Sequence, residues 1–145
     1  MVTVKDILEN KGRQVVSIDH QASVLDAARL MNEHRIGALV VTRGEKVVGI
    51  FTERDILNRV VAQRRDPAQT AVHEVMTTPV ACCAPQTPRN ECRSVMRRRR
   101  IRHLPVVENE QLAGIISIGD ILEDEGAEQQ QTIRYLYEYM NVEWK

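Results

Sequence analysis

The chain carries its own template. Offset by 65 residues, Val15–Leu57 lies over Val80–Leu122 without a gap, and 13 of the 43 aligned positions are identical. Unrelated sequences of ordinary composition agree at roughly one position in sixteen, so the two stretches are copies of one unit. The identities include Met31 over Met96, Arg35-Ile36 over Arg100-Ile101, Gly49-Ile50 over Gly114-Ile115 and Asp55-Ile56-Leu57 over Asp120-Ile121-Leu122. A short lead-in precedes each unit, Val4–Leu8 before the first and Val72–Met76 before the second. Two copies are too few for a solenoid, whose end repeats need neighbours or caps to cover their apolar faces. A pair facing each other about a pseudo-two-fold axis is the simpler solution.

Hydrophobic spacing gives each unit a β-α-β-β-α order and the chain an α+β fold. In the first unit Val15–Ile18 reads as a strand, and Ser23 caps a helix with Val24, Ala27, Ala28 and Met31 at helical spacing. The β-branched runs Ala38–Thr42 and Lys46–Ile50 flank Arg43-Gly44-Glu45 as a hairpin, and Thr52 opens a second helix, apolar at Ile56, Leu57, Val60 and Val61. The second unit repeats the order with a strand Val80–Cys83, a helix opened by Thr87 and Pro88, strands Leu104–Val107 and Leu112–Ile116, and a helix from Ser117. Gln63–Thr70 is the linker. This divides the chain into residues 1–70, 71–124 and a helical tail, 125–145, with an apolar stripe of Ile133, Leu136, Tyr137 and Met140.

Composition removes several function classes. The 20 Lys+Arg balance 20 Asp+Glu, so no overall field draws the protein to nucleic acid or an anionic membrane. Lys5, Asp6 and Glu9 interrupt the N-terminus where a secretory signal needs an apolar stretch, and no apolar run spans a membrane; a soluble cytoplasmic protein is expected. Three cysteines, Cys82, Cys83 and Cys92, form neither an even framework nor a CxxC pair, which favours free thiols over disulfides or a zinc site.

The most specific motif ends each unit: Gly, two hydrophobic residues, Thr or Ser, two variable residues, Asp. It occurs as Gly49–Asp55 and again as Gly114–Asp120, each preceded at the same distance by Ile-x-x-Leu, Ile36–Leu39 and Ile101–Leu104. A helix N-terminus offers unpaired N–H groups and partial positive charge, so a hydroxyl there can join a phosphate cradle. One turn on, a carboxylate returns to the same corner, where its oxygens can accept from a ribose diol. Thr52 and Ser117 are then phosphate ligands, and Asp55 and Asp120 ribose ligands. The same residues also read as plain helix caps that need no ligand.

Over Val4–Asp124 the chain resembles the CBS (cystathionine β-synthase) repeat family, in which two units pack into one module with two shared clefts. The resemblance implies an adenine-nucleotide sensor, with AMP favoured and ATP, NAD(H) or S-adenosylmethionine as alternatives, and no catalytic cofactor. Residue by residue, it assigns Thr52, Arg54, Cys82, Cys83, Ile101 and Arg102 to the Asp55 cleft, and Ser117, Ser17, Ile18, Ile36, Gly37 and Ala38 to the Asp120 cleft. It gives Arg102 and His103 positions that often contact phosphate, where the first unit has Gly37 and Ala38. It also implies a homodimer through the helices of both units and regulation of a partner protein rather than catalysis. The rival reading is a ligand-independent interaction scaffold.

Arg97–Arg100, with Arg93 and Arg102, form the dense basic cluster of the chain. It reads either as a solvated helix end or as phosphate ligands, and without interleaved aromatics it is a poor nucleic-acid platform. Cys82, Cys83 and His103 lack metal-ligand spacing, and His20, His34 and His73 are scattered with no nucleophile beside them.

Overall fold

The computed structural model describes residues 1–126; the apolar stripe around Ile133–Met140 lies outside them. A lead-in helix α1 (Val4–Lys11) is followed by β1 (Ser17–Asp19), α2 (Val24–His34), β2 (Ala38–Arg43), β3 (Lys46–Thr52) and a single turn α3 (Glu53–Asp55). The second unit follows with α4 (Val72–Val75), α5 (Arg89–Arg99), β4 (His103–Glu108), β5 (Gln111–Ser117) and α6 (Ile118–Gly126). β1 runs parallel to β2, and β2 pairs antiparallel with β3; β4 and β5 form the matching hairpin.

The repeat holds in three dimensions down to its irregularities. Both hairpins shift register at the same place, between Val41 and Thr42 and between Val106 and Val107. Both first helices end on an arginine in the left-handed region, Arg35 at φ 55° and Arg100 at φ 54°. The next amides reach back to close the ends, Ile36 N–H to Met31 O and Ile101 N–H to Met96 O, each at 3.0 Å. As expected, the Ser23 hydroxyl caps α2, accepting from the Asp26 amide at 3.0 Å.

The lead-ins change partners. Val4, Ile7 and Leu8 precede the first unit in sequence but are buried in the core of the second, among Cys92, Met96, Leu104, Ile116 and Ile121. Val72 and Val75 precede the second unit and are buried in the core of the first, against Val24, Ala27, Leu39, Phe51 and Val60. Backbone bonds fasten both crossings, Val4 N–H to Thr87 O at 2.9 Å and Val72 N–H to Ala22 O at 2.8 Å. The motif glycines lie beneath the crossing segments. A Cβ on Gly114 would meet Leu8 Cδ2 at 2.9 Å, and one on Gly49 would meet the Thr77 carbonyl at 3.1 Å.

Two elements depart from expectation. The strand anticipated at Val80–Cys83 shrinks to one bridge, Cys83 to Val106. Its neighbourhood is divided between two sheets: Thr77 exchanges backbone bonds with Ile50 of β3, while Cys83 bonds Pro105 and Val107 of β4. Pro79 and Pro85 flank the stretch without N–H groups to extend either ladder. The helix from Thr52 continues beyond α3 as a π-wound segment, Ile56–Val61. Of its four apolar residues only Val60 is buried, whereas Leu57 and Val61 are 61% and 60% exposed.

At the far end of the second unit Arg89 pairs with Asp124 and Glu125, and Arg93 with Glu125. The arginines that make α5 look too polar for a packed helix thus tie it to α6.

Candidate functional site

The corner at Asp55 is built by a strand running into a helix. Thr52 is the last residue of β3 and the N-cap of α3. Its N–H and hydroxyl donate to Asp55 Oδ2 at 3.0 and 3.2 Å, and its Oγ1 accepts from the Asp55 amide at 3.3 Å. Thr77, from the crossing segment, donates to Asp55 Oδ1 at 3.0 Å. Arg59 lies one turn on, with Nε 3.7 Å from Asp55 Oδ1 and a hydrogen bond to the Met76 carbonyl at 2.8 Å. Asp55 is only 6% exposed, yet a carboxylate offers about four acceptor positions, so this capping set leaves capacity on Oδ1.

This carboxylate borders a cavity of about 600 Å³ between the two units, within the range of small-molecule clefts. One wall is the corner itself with the π-wound segment, contributing Thr52, Arg54, Asp55, Asn58 and Arg59. A second is the crossing segment, Thr77, Pro79, Val80 and Ala81, and a third is Arg99–His103 of the second unit. Five arginines face two carboxylates, Glu53 and Asp55. The potential inside therefore favours anions, although the chain as a whole is neutral. The imidazole of His103 is held below its ordinary value of 6.5 by burial and by the Lys11 and Arg102 cations, against the opposing pull of Asp120 and Glu53.

The second corner has the same backbone and a different occupant. Ser117 N–H donates to Asp120 Oδ2 at 2.8 Å, and Ser117 Oγ accepts from the Asp120 amide at 3.1 Å. Where Asp55 has the Thr77 hydroxyl and, farther off, Arg59 at 3.7 Å, Asp120 has Lys11, whose ammonium lies 2.6 Å from Oδ2 and 2.9 Å from the Ile115 carbonyl. Lys11 ends the lead-in helix that crossed over, so its partner is 109 residues away and nothing in the sequence pairs them.

Among the residues expected at the Asp55 cleft, Thr52, Arg54, Ile101, Arg102 and His103 line the cavity. Cys82 and Cys83 do not; Val80 and Ala81 take that wall. Cys83 packs on the second core, its thiol pushed up by Cys92 beside it and by burial. Gly37, expected at the Asp120 cleft, lines the Asp55 cavity instead, while Ile18 and Ala38 are buried core, Ile36 packs against that core and Ser17 is exposed. Sequence reasoning missed Asn58, Arg59, Thr77 and Lys11. Arg99 and Arg100 were signalled by the basic cluster, though not which of its members turn inward. His20 and His73, apparently scattered, come together with ring centroids 5.7 Å apart.

Comparison with known proteins agrees with this architecture. The CBS domain model matches twice, over residues 4–62 and 72–125. The CBS domain-containing protein YhcV of Bacillus subtilis is 36% identical over 121 residues, 83% of this chain and 84% of that protein. The crystal structure of the CBS-domain containing protein ATU1752 from Agrobacterium tumefaciens superposes with a TM-score of 0.81 at 42% identity, covering 86% of this chain and 99% of that one. The CBS domain protein PAE2072 from Pyrobaculum aerophilum, solved in complex with AMP, gives a TM-score of 0.73 at 31% identity over 82% of this chain and 89% of that one. Repeat, corner motif and fold together establish that the chain belongs to the CBS domain family, as a tandem pair of repeats.

Proposed function

We propose that the pair binds an adenine nucleotide in the Asp55 cavity and serves as a regulatory sensor. The observation that carries this is a buried carboxylate with spare acceptor capacity, set in a cavity between the units where guanidinium groups outnumber acids. Asp55 accepts from the ribose diol, Ile50 and Ile101 supply apolar contact for the base, and the arginines take the phosphate. The AMP complex of PAE2072 supports this choice of ligand class. At the second corner the Lys11 ammonium already holds Asp120, so the reading is one nucleotide per chain.

A ligand held between two units favours the arrangement in which both walls touch it, and its concentration then sets the population of that arrangement. The signal leaves through exposed apolar positions. Leu57, Val61 and Leu122 are 61%, 60% and 55% exposed, and Leu57 and Leu122 occupy equivalent sites of the repeat. They supply the face of a homodimer or of a regulated partner protein.

The capping geometry at both corners would exist without any ligand, as a pure scaffold requires. Thermal unfolding separates the readings: AMP at about 100 times its Kd stabilises the native state by about 2.7 kcal/mol. Asp55→Asn removes the charge, keeps the shape and weakens binding at least about tenfold. An unchanged melting curve with every adenine nucleotide would overturn the sensor in favour of the scaffold.

A further inference from the structure

The cavity holds more positive charge than one phosphate monoester can use. Arg54 comes from the first unit, and Arg99, Arg100 and Arg102 from the second; all line the same space. The ion pairs of the described residues include none of these four. A helix C-terminus attracts cations, which accounts for Arg97 and Arg98 as well as Arg99. It does not account for Arg54, which stands on another unit, or for Arg100 and Arg102 bordering the space that Arg54 lines. Against Glu53 and Asp55 these exposed guanidiniums leave the lining of the cavity net positive, a surface that an anion complements.

One neutral hydroxyl, that of Thr52, which also donates to Asp55 Oδ2, does not by itself balance the charge of a phosphate. The phosphate task therefore falls on the guanidinium groups. A terminal phosphate carries about −1.5 to −2 charge at neutral pH, and each further phosphate in a chain adds to it. Four guanidiniums without an ion pair among the described residues, around a cavity of about 600 Å³, match a chain of phosphates better than a single one. Resting on the nucleotide reading above, we infer that the Asp55 cavity selects nucleotides with more than one phosphate, through Arg54, Arg99, Arg100 and Arg102.

Isothermal titration of the full chain with AMP, ADP and ATP, at constant ionic strength and without divalent cations, tests this. The expected result is affinity rising along the series, with ATP about tenfold or more tighter than AMP and the gap narrowing in high salt. The double variant Arg99→Gln/Arg100→Gln should shrink the ATP-to-AMP ratio to within about threefold, whereas Arg99→Lys/Arg100→Lys retains most of it. Circular dichroism melting of both variants checks that these exposed changes leave the fold intact. AMP binding as tightly as ATP to the native protein, or a ratio unaffected by the glutamines, overturns the selectivity and leaves the nucleotide reading standing. No binding of any of the three overturns both.

Discussion

Asp55 and Asp120 descend from one residue of the ancestral unit, keep the same capping geometry and differ in what stands opposite. Asp55 has the Thr77 hydroxyl at 3.0 Å and a loose contact to Arg59 at 3.7 Å, whereas the Lys11 ammonium sits on Asp120 at 2.6 Å. His103 lies within reach of both corners, which gives a pH prediction. Its folded value is depressed below 6.5, so between that folded value and 6.5 the unfolded chain binds more protons than the native one. Stability then rises with pH through this window and is lost on acidification. An anion in the cavity favours the imidazolium, so nucleotide binding near about pH 6 adds protons at His103, while the terminal phosphate, with a second ionisation near about pH 6, gives them up to reach the dianion among the arginines. Titrations in two buffers of different ionisation enthalpy measure the net proton change, and His103→Gln should shift it toward release. Arg35 makes a separate test. It is exposed and sits at φ 55°, a backbone region that costs a side chain about 1–2 kcal/mol. Allowing for the greater freedom of glycine in the unfolded chain, Arg35→Gly stabilises by about 0.5–1 kcal/mol, read as a higher melting temperature.

The elements that position the cavity are the two crossing lead-ins. α1 completes the second core and delivers Lys11 to Asp120; α4 completes the first core and leads into Thr77 and the Pro79–Ala81 wall. Leu8 is 1% exposed within the second core, so Leu8→Ala costs about 2–5 kcal/mol in chemical denaturation. Hydrogen exchange should place the loss in β4, β5 and α5, not in the first unit that Leu8 precedes. Equal loosening of β1–β3 would contradict this account. The lead-ins and the Gly of each corner motif were legible in the sequence, but not which unit each lead-in packs against. Gly49 and Gly114 read as strand residues that open the corner motif, and only the packed structure shows the segments that pass over them. The helix after Thr52 was legible as helical, yet four apolar residues over six positions did not say which of them the core accepts.

At the scale of the whole molecule, the large exposed apolar residues among those described, apart from Met1, are Leu57, Val61 and Leu122, on the helices that end the two units. If these helices form the dimer contact, Leu57→Asp with Leu122→Asp yields a monomer with an unaltered circular dichroism spectrum, measured by analytical ultracentrifugation at micromolar concentration. A native protein that is itself monomeric there removes the dimer and leaves a partner protein as the occupant of that face. No helix of the described residues is long and apolar enough to cross a membrane.

By itself the sequence determined the duplicated unit, the order of its elements and the paired corner motifs, because identity at a constant offset and hydrophobic spacing are properties of the chain read along its length. It also pointed to Thr52, Arg54, Asp55, Ile101, Arg102 and His103 as neighbours through a resemblance. Only the tertiary structure decided that the lead-ins exchange cores, that Arg99 and Arg100 border the same cavity as Asp55, and that Lys11 closes on Asp120. Those contacts join residues far apart along the chain, and no local propensity encodes them. They arise when two similar but unequal halves are pressed together and each exposed charge settles against whatever the other half presents.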